Sequence, residues 1–348
     1  MNKLIFIFPI SGPTNGVKVI SKELLKNFEN DNFEITKIDT AQAVDYSNFG
    51  KFNFKKIYFV YKILKSLNKI STGNFAYMNF TTVGFSFIRD FFIVLFLIKK
   101  KSKITLHIHQ NGLELITSKF ILKTLNKAKI VVINQQQFKD LQVFENLYEV
   151  HNVLPDFYNG SFNPLFRRNL DEVKLLIMSN LSIKKGIDNI LSFCKTIKEK
   201  QLNYTITICG GVLDNYTDKI INKIIVDYQF ITFKGPVENI ATKMEIYKKH
   251  DFFLFLSTTN YEVSPLVYIE ALMNGLPIIT TPQIIADKVT GDSLGLILKD
   301  DNYINFISNN FNEVSLKKLK FKNREKFEKQ YNFVEFYKTI KKIVVYET

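Results

Sequence analysis

Two consecutive α/β domains, each built on a parallel sheet, are predicted by three features of the chain. Short apolar strands alternate with helical stretches along most of its length, and each strand closes in glycine or a polar loop. The 348 residues exceed what one hydrophobic core comfortably serves. Residues 159–171, with Gly160, Pro164 and two arginines, read as a linker.

In the first half, residues 3–8 form an apolar strand, 11–16 (SGPTNG) a loop, and 17–28 an amphipathic helix. Backbone amides then face the mouth of a doubly wound sheet, or the segment is a plain βα turn. The G-x-G-x-x-G spacing of a dinucleotide site is missing, which disfavours a dehydrogenase. Further strands are predicted at 33–38, 75–80, 104–109, 129–133 and 148–153. In ITLHIHQNG the alternation sets Thr105, His107 and His109 on one strand face, with His109 at the carboxyl end where such sheets bind ligands. A metal site lacks a third ligand, and a hydrogen-bonded structural histidine is the plainer reading.

The second half opens with a strand at 174–178, the loop SNLSIKKG and a helix from Ile187. A Lys-Lys-Gly loop alone is ordinary surface. It gains meaning by preceding a helix start. Strands at 205–209 and 230–233 end in Gly210-Gly211 and Lys234-Gly235-Pro236-Val237, each followed by a helix. Residues 252–281, FFLFLSTTNYEVSPLVYIEALMNGLPIITT, then read as strand, polar loop, helix and second buried strand. Ser264 is suited to cap the helix and Pro265 to sit where a missing N–H does no harm. Two carboxylates frame this start, Glu262 in the loop and Glu270 among Leu266, Val267, Ile269, Ala271, Leu272 and Met273. A carboxylate in so apolar a helix needs hydrogen-bonding partners, or it lies on a thin polar stripe. With amides that suit phosphate and carboxylates that suit sugar hydroxyls, the parts make a pocket for a sugar joined to phosphate. The Lys-rich tail, 316–348, reads as helical.

Composition narrows the classes. With 46% hydrophobic and 23% charged residues the chain is globular. Cys194 and Cys209 are too few for a disulfide framework, so a reducing cytoplasm is expected. The amino-terminal apolar run is short and broken by Pro9, which reads as a strand rather than a signal peptide. The apolar stretch 91–98 falls short of the roughly 20 residues that span a bilayer. The net charge is +14, and fifteen Lys or Arg against two acids between 51 and 129 hold nearly all of it. Beside aromatic segments this excess suits an anionic membrane surface, if it is more than solvated surface. Nucleic acid is disfavoured for want of any recognition motif.

The segment EVSPLVYIEALMNGLPIITT resembles the E-x7-E signature of retaining glycosyltransferases of family 4, which have the GT-B fold of two Rossmann-like domains across a cleft. The resemblance extends over essentially the whole chain and is strongest over 174–281. It implies an acceptor-binding domain at 1–165, a nucleotide-sugar-binding domain at 171–315, and terminal helices at 316–348 that cross back to the first domain. Through it Glu262 is expected to contact the transferred sugar, Glu270 the ribose, and the segment Val263, Ser264, Pro265 and Leu266 the diphosphate, through the backbone amides it carries. Lys185 matches the diphosphate-binding lysine, and Asn180 stands where many members carry an arginine. Gly16 matches the glycine-rich turn, and Gly235 to Val237 the nucleobase contact. His109 matches the last histidine of H-x-H-G, with Gln110 in place of the glycine. The implied activity is metal-independent hexosyl transfer from a nucleotide sugar, UDP-linked by default, to a glycan or lipid-linked oligosaccharide hydroxyl. The implied setting is surface polysaccharide synthesis (capsule, O antigen or lipopolysaccharide), in the cytoplasm or on the inner face of its membrane. The absence of any D-x-D triplet fits an enzyme that needs no cofactor, since helix dipoles and cations then hold the diphosphate. A GT-B sugar-nucleotide epimerase and a non-catalytic sugar or nucleotide-binding module are the alternatives.

Overall fold

The structure, a computed structural model, describes residues 2–11, 16–41, 54–155, 162, 170–258, 263–283, 286–291 and 294–346. The chain divides into two compact units: Met1–Pro155 with Phe333–Thr348, and Asp156–Asn332.

In the first unit the elements run β1 (Lys3–Phe8), α1 (Gly16–Asn30), β2 (Glu34–Asp39), α2 (Phe54–Asn68), β3 (Phe75–Phe80), α3 (Gly84–Lys99), β4 (Lys103–Ile108), α4 (Lys119–Leu125), β5 (Lys129–Val132), α5 (Gln135–Asp140) and β6 (Leu147–Glu149). The six strands are parallel in the order β2-β1-β3-β4-β5-β6, so the order reverses between β1 and β3. Both faces are covered, which is why the strands read as continuous apolar runs. Ile5, Ile7, Ala76, Met78, Leu106 and Ile108 pack under α2 to α5, through Ile63, Leu67, Ile93, Val94, Leu97 and Leu125. On the opposite face Phe6 stacks against Tyr77 and Phe28 of α1, and Tyr337 of the last helix meets Phe28.

The second unit runs β7 (Val173–Met178), α6 (Ile187–Glu199), β8 (Tyr204–Cys209), α7 (Asn215–Asp227), β9 (Ile231–Gly235), α8 (Ile240–Lys248), β10 (Phe252–Phe255), α9 (Leu266–Met273), β11 (Ile278–Thr280), α10 (Ala286–Thr290), β12 (Gly295–Ile297), α11 (Asn302–Asn310) and α12 (Glu313–Gln330). Its parallel sheet has the order β12-β11-β10-β7-β8-β9, reversing between β7 and β10. Leu175, Ile177, Ile206, Ile208, Phe252, Leu254 and Ile279 form the core with α6, α7 and α11. The other face is closed by α8 and α9, and α12 lies on α9.

The Lys-rich tail is two helices. Helix α12 is capped by Asn312, which accepts from the Ser315 amide, and ends at Gln330. Then α13 (Phe333–Val345) packs in the first unit, where Lys341 pairs with Asp31 at 2.7 Å and the Lys129 ammonium donates to the Ile343 carbonyl. Strand β12 has only three residues, too few for its period to show in LGLIL. Cys194 and Cys209 are both buried and unbridged. No described helix is long and apolar enough to cross a membrane.

Candidate active site

In open α/β sheets a ligand crevice forms beyond the carboxyl ends of the strands, where strand order reverses. In the second unit that point lies between β7 and β10, and the segments leaving these strands carry Asn180 and Lys185 on one side and Val263, Ser264 and Pro265 on the other. Gly186, just after Lys185, has φ +79°. A Cβ there would lie 1.8 Å from the Leu256 carbonyl oxygen, so only glycine lets this loop press against the end of β10. The contact is knit by hydrogen bonds. Ser257 Oγ and the Thr258 amide both donate to the Lys184 carbonyl, at 3.1 and 3.2 Å, and Asn189 donates to the Leu256 carbonyl at 2.8 Å. Thr281 and Gln283, beyond β11, donate to the Ser257 carbonyl at 2.5 and 2.6 Å. Lys185 is half-buried at the rim, while Lys184 is exposed.

The neighbouring strand ends complete the wall. Gly210 sits so close to the Ser179 carbonyl that a Cβ would come within 1.8 Å of it, and its amide donates to the Gly235 carbonyl at 2.8 Å. Asn180 accepts from the Gly211 amide through Oδ1 at 3.1 Å, so this side chain holds the turn after β8 in place. Gly235 adopts φ +67° at the end of β9, and Val237 follows in the loop before α8.

Helix α9 begins one residue later than the sequence implied. Its N-cap is Pro265, in extended backbone and without a side-chain cap, and Ser264 stands one residue further out. Pro265 itself is extended, with φ −63° and ψ 126°, so the first helical residue is Leu266. Pro265 has no side chain able to cap, and the Leu266 and Val267 amides belong to the first turn, whose donors the helix itself cannot satisfy. Glu262 lies outside the described residues.

Glu270 is 2% exposed, and the structure supplies the partners its burial demands. The Lys243 ammonium donates to Oε1 at 2.5 Å and the Tyr247 hydroxyl to Oε2 at 2.9 Å. These two residues, one turn apart on α8, lie on one helix face. They were not anticipated from the sequence. Only that spacing could have hinted at them, and nothing in it points to Glu270. The pair ties α9 to the helix that leaves the Gly235 loop. Removing one member of a buried ion pair strands the other charge and costs about 3–5 kcal/mol. Lys243→Met is therefore expected to lower stability by about 3 kcal/mol in denaturant titration. A loss below about 0.5 kcal/mol, the range of ordinary surface substitutions, contradicts the pairing.

In the first unit the predicted face of β4 is observed. His107 and His109 lie with ring centroids 4.1 Å apart, and His107 Nδ1 shares a 2.6 Å hydrogen bond with the Tyr77 hydroxyl. Neither ring nitrogen of His109 has a hydrogen-bond partner, and both are buried. Burial therefore pushes the His109 pKa down to about 4 and holds His107 well below its ordinary value. Gln110 needs no left-handed backbone. The positive φ, +119°, falls at Gly112 instead, whose amide donates to the Glu114 carboxylate. The Gln110 carbonyl accepts from Gln137, and that of Asn111 from Thr82, so the turn is fixed. Gly16 is the first residue of α1, and the rest of its turn, residues 12–15, lies outside the described residues. No group of three or more metal-ligating side chains occurs among the described residues.

The pH consequence has a definite sign. The unfolded chain protonates His109 near 6.5, the native chain only near 4, so below pH 6.5 the unfolded state binds more protons and stability falls with pH. From pH 7 to pH 5 the native chain is expected to lose about 2 kcal/mol more stability than His109→Gln. Equal losses in the two proteins contradict the burial of a neutral imidazole.

Two parallel six-stranded α/β units, each with a reversal point, constitute the GT-B architecture of glycosyltransferases. Residues 165–331, just under half of the chain, match the family model described as Glycosyl transferases group 1, a span that falls within the second unit. Among solved structures, a glycosyltransferase from Rickettsia africae superimposes with TM-score 0.71 at 14% identity, covering 100% of both chains. Sucrose-phosphate synthase from Thermosynechococcus elongatus gives TM-score 0.70 at 12% identity, over 99% of this chain and 98% of that one. Anabaena HepE in complex with UDP and glucose gives 0.68 at 13% identity, over 98% and 99%. A search of curated proteins returned no significant match.

Proposed function

We propose that the chain is a retaining glycosyltransferase of family 4. It moves a hexosyl group from a UDP-sugar to a hydroxyl of a glycan or lipid-linked oligosaccharide, in the cytoplasmic synthesis of a capsule, O antigen or lipopolysaccharide. The observation that carries this reading is the reversal point between β7 and β10, where the Lys185-Gly186 loop presses against the end of β10, within a span that matches a group 1 domain. Amides and a cation there suit a departing diphosphate. Anabaena HepE, of similar fold, was solved with UDP and glucose, which supports a nucleotide-sugar donor.

In this account the bond from the anomeric carbon to the diphosphate breaks and the acceptor oxygen bonds to that carbon on the same face. The acceptor's proton passes to the leaving phosphate oxygen. Lys185 and the backbone N–H groups of the 263–266 segment other than Pro265 stabilise the charge that develops on the diphosphate, the largest catalytic contribution expected. Glu262 orients the transferred sugar. Glu270, held by Lys243 and Tyr247, keeps lone pairs for ribose hydroxyls, since an ionised carboxylate accepts about four hydrogen bonds. Backbone groups from Gly235 to Val237 meet the base, and Asn180 shapes the phosphate wall. No metal is needed, because protein donors take the place of a divalent cation.

The test is a panel of nucleotide-sugar donors assayed in EDTA with glycan and lipid-linked acceptors, read by nucleotide release and then by NMR of the new linkage. Acceptor-dependent release of UDP with retained anomeric configuration is expected. Acceptor-independent conversion of the donor would assign the fold to epimerisation, and binding without turnover would make the chain a binding module.

A further inference from the structure

The outer faces of α2, α3 and α4 share a property that the crevice does not use. All three helices cover the same face of the first sheet, over one core. Lys100 ties the carboxyl ends of the first two together by donating to the Asn68 and Ile70 carbonyls at 2.9 and 3.0 Å. On α2 the residues Tyr58, Tyr61, Lys62 and Lys65 fall at i, i+3, i+4 and i+7 and face outward. Tyr58 and Tyr61 are 59% and 57% exposed, their rings stack at 6.4 Å, and the Lys62 ammonium sits 4.9 Å over the Tyr58 ring. On α3 the outward stripe is Ile88, Phe92, Leu95 and Lys99, with Phe92 half exposed. On α4 Phe120 is 64% exposed, and its ring rests on Phe91 of α3.

Charge separates this face from an ordinary solvated surface. The two acids between residues 51 and 129 are both engaged: Asp90 is fully buried against Arg89, and Glu114 accepts from the Gly112 amide. Exposed lysines therefore flank an aromatic and aliphatic band, and within 51–129 Glu114 is the one exposed carboxylate set against them. Amphipathic rings settle at the headgroup level of a bilayer, and lysine stems lie along apolar surface while their ammonium groups meet anionic headgroups. A nucleic-acid groove would want the cations but not the outward Ile88 and Leu95.

We propose that the α2–α3–α4 face is a peripheral docking surface for an anionic lipid bilayer, with Tyr58, Tyr61, Phe92 and Phe120 entering the interface and Lys62, Lys65 and Lys99 meeting the headgroups. The role this gives the surface, bringing the enzyme to a lipid-linked acceptor, rests on the proposed function. The surface itself is read from the first unit alone.

The test is co-sedimentation of the full chain with phosphatidylglycerol/phosphatidylcholine vesicles and with pure phosphatidylcholine vesicles, over a salt series. Binding to the anionic vesicles alone is expected, fading with salt. Lys62→Gln with Lys65→Gln should lower the partition coefficient about 30-fold, and Tyr58→Ser with Tyr61→Ser should lower it at least tenfold (roughly two buried rings). Circular dichroism reports folding of the variants, and UDP titration reports the donor site, which neither pair should affect. Absent binding to the anionic vesicles, or binding by the folded variants equal to that of the native chain, overturns the proposal. So does tighter binding to single-stranded RNA that the same lysine variants abolish. Lost UDP binding with intact vesicle binding would instead count against the proposed function.

Discussion

Replacement of Glu262 by alanine is expected to abolish transfer, lowering kcat/KM by about 1,000-fold while leaving the fold unchanged. The size follows from the proposed role. A carboxylate accepting two sugar hydroxyls makes two charge-assisted hydrogen bonds worth about 1.5–3 kcal/mol each. Those bonds fix the anomeric carbon relative to the incoming hydroxyl, so their loss falls on turnover as well as on binding. The sequence reads Glu262 as part of a polar stretch outside strand and helix, so far-UV circular dichroism and the denaturation midpoint should not move. Full activity in Glu262→Ala removes this residue from the site and with it the first half of the paired-carboxylate account.

Replacement of Lys185 by alanine is the second large effect. The lysine sits beside Gly186 in a loop whose position is set by the close approach to Leu256 and by the hydrogen bonds at the Lys184 carbonyl. Those contacts belong to the backbone and to neighbouring residues, so the loop should survive loss of the side chain. Removing one preorganised donor from a developing anion costs about 100- to 1,000-fold in kcat. The expected result is that loss in kcat with a smaller change in KM, and Lys185→Arg should recover part of it. A loss confined to KM would mean that the lysine binds donor and transition state equally and is no part of the chemistry.

Much of the architecture was legible because parallel strands buried on both faces are short apolar runs with sharp ends. Residues 3–8 and 75–80 form strands within the predicted limits, and the other long strands lie within two residues of them. The glycine before α6 and the pair after β8 marked loop closures for a steric reason that the structure makes explicit at Gly186 and Gly210. Strand β12 escaped because three residues carry no period, and the start of α9 was displaced because Pro265, whose φ would suit a first helical residue, takes an extended ψ instead.

At the site, sequence spacing exposed the residues that sit at strand ends and helix starts. The partners of Glu270 stayed hidden because the contact is tertiary. Lys243 and Tyr247 are more than twenty residues away, on a helix whose own pattern gives no sign that it faces a carboxylate. The histidine pair was visible as a strand alternation, but its lowered pKa values depend on burial that alternation does not report. The move of the left-handed residue from position 110 to Gly112 is likewise a matter of backbone geometry.

The central claim is that the crevice between β7 and β10 grips the diphosphate of an activated sugar. Hydrogen–deuterium exchange of the full chain with and without UDP tests it most directly, because the gripping groups are backbone amides. The account predicts slowed exchange in peptides spanning 179–187, 235–240 and 263–270. Saturating UDP binding that leaves all three peptides exchanging as in the unliganded chain would contradict it.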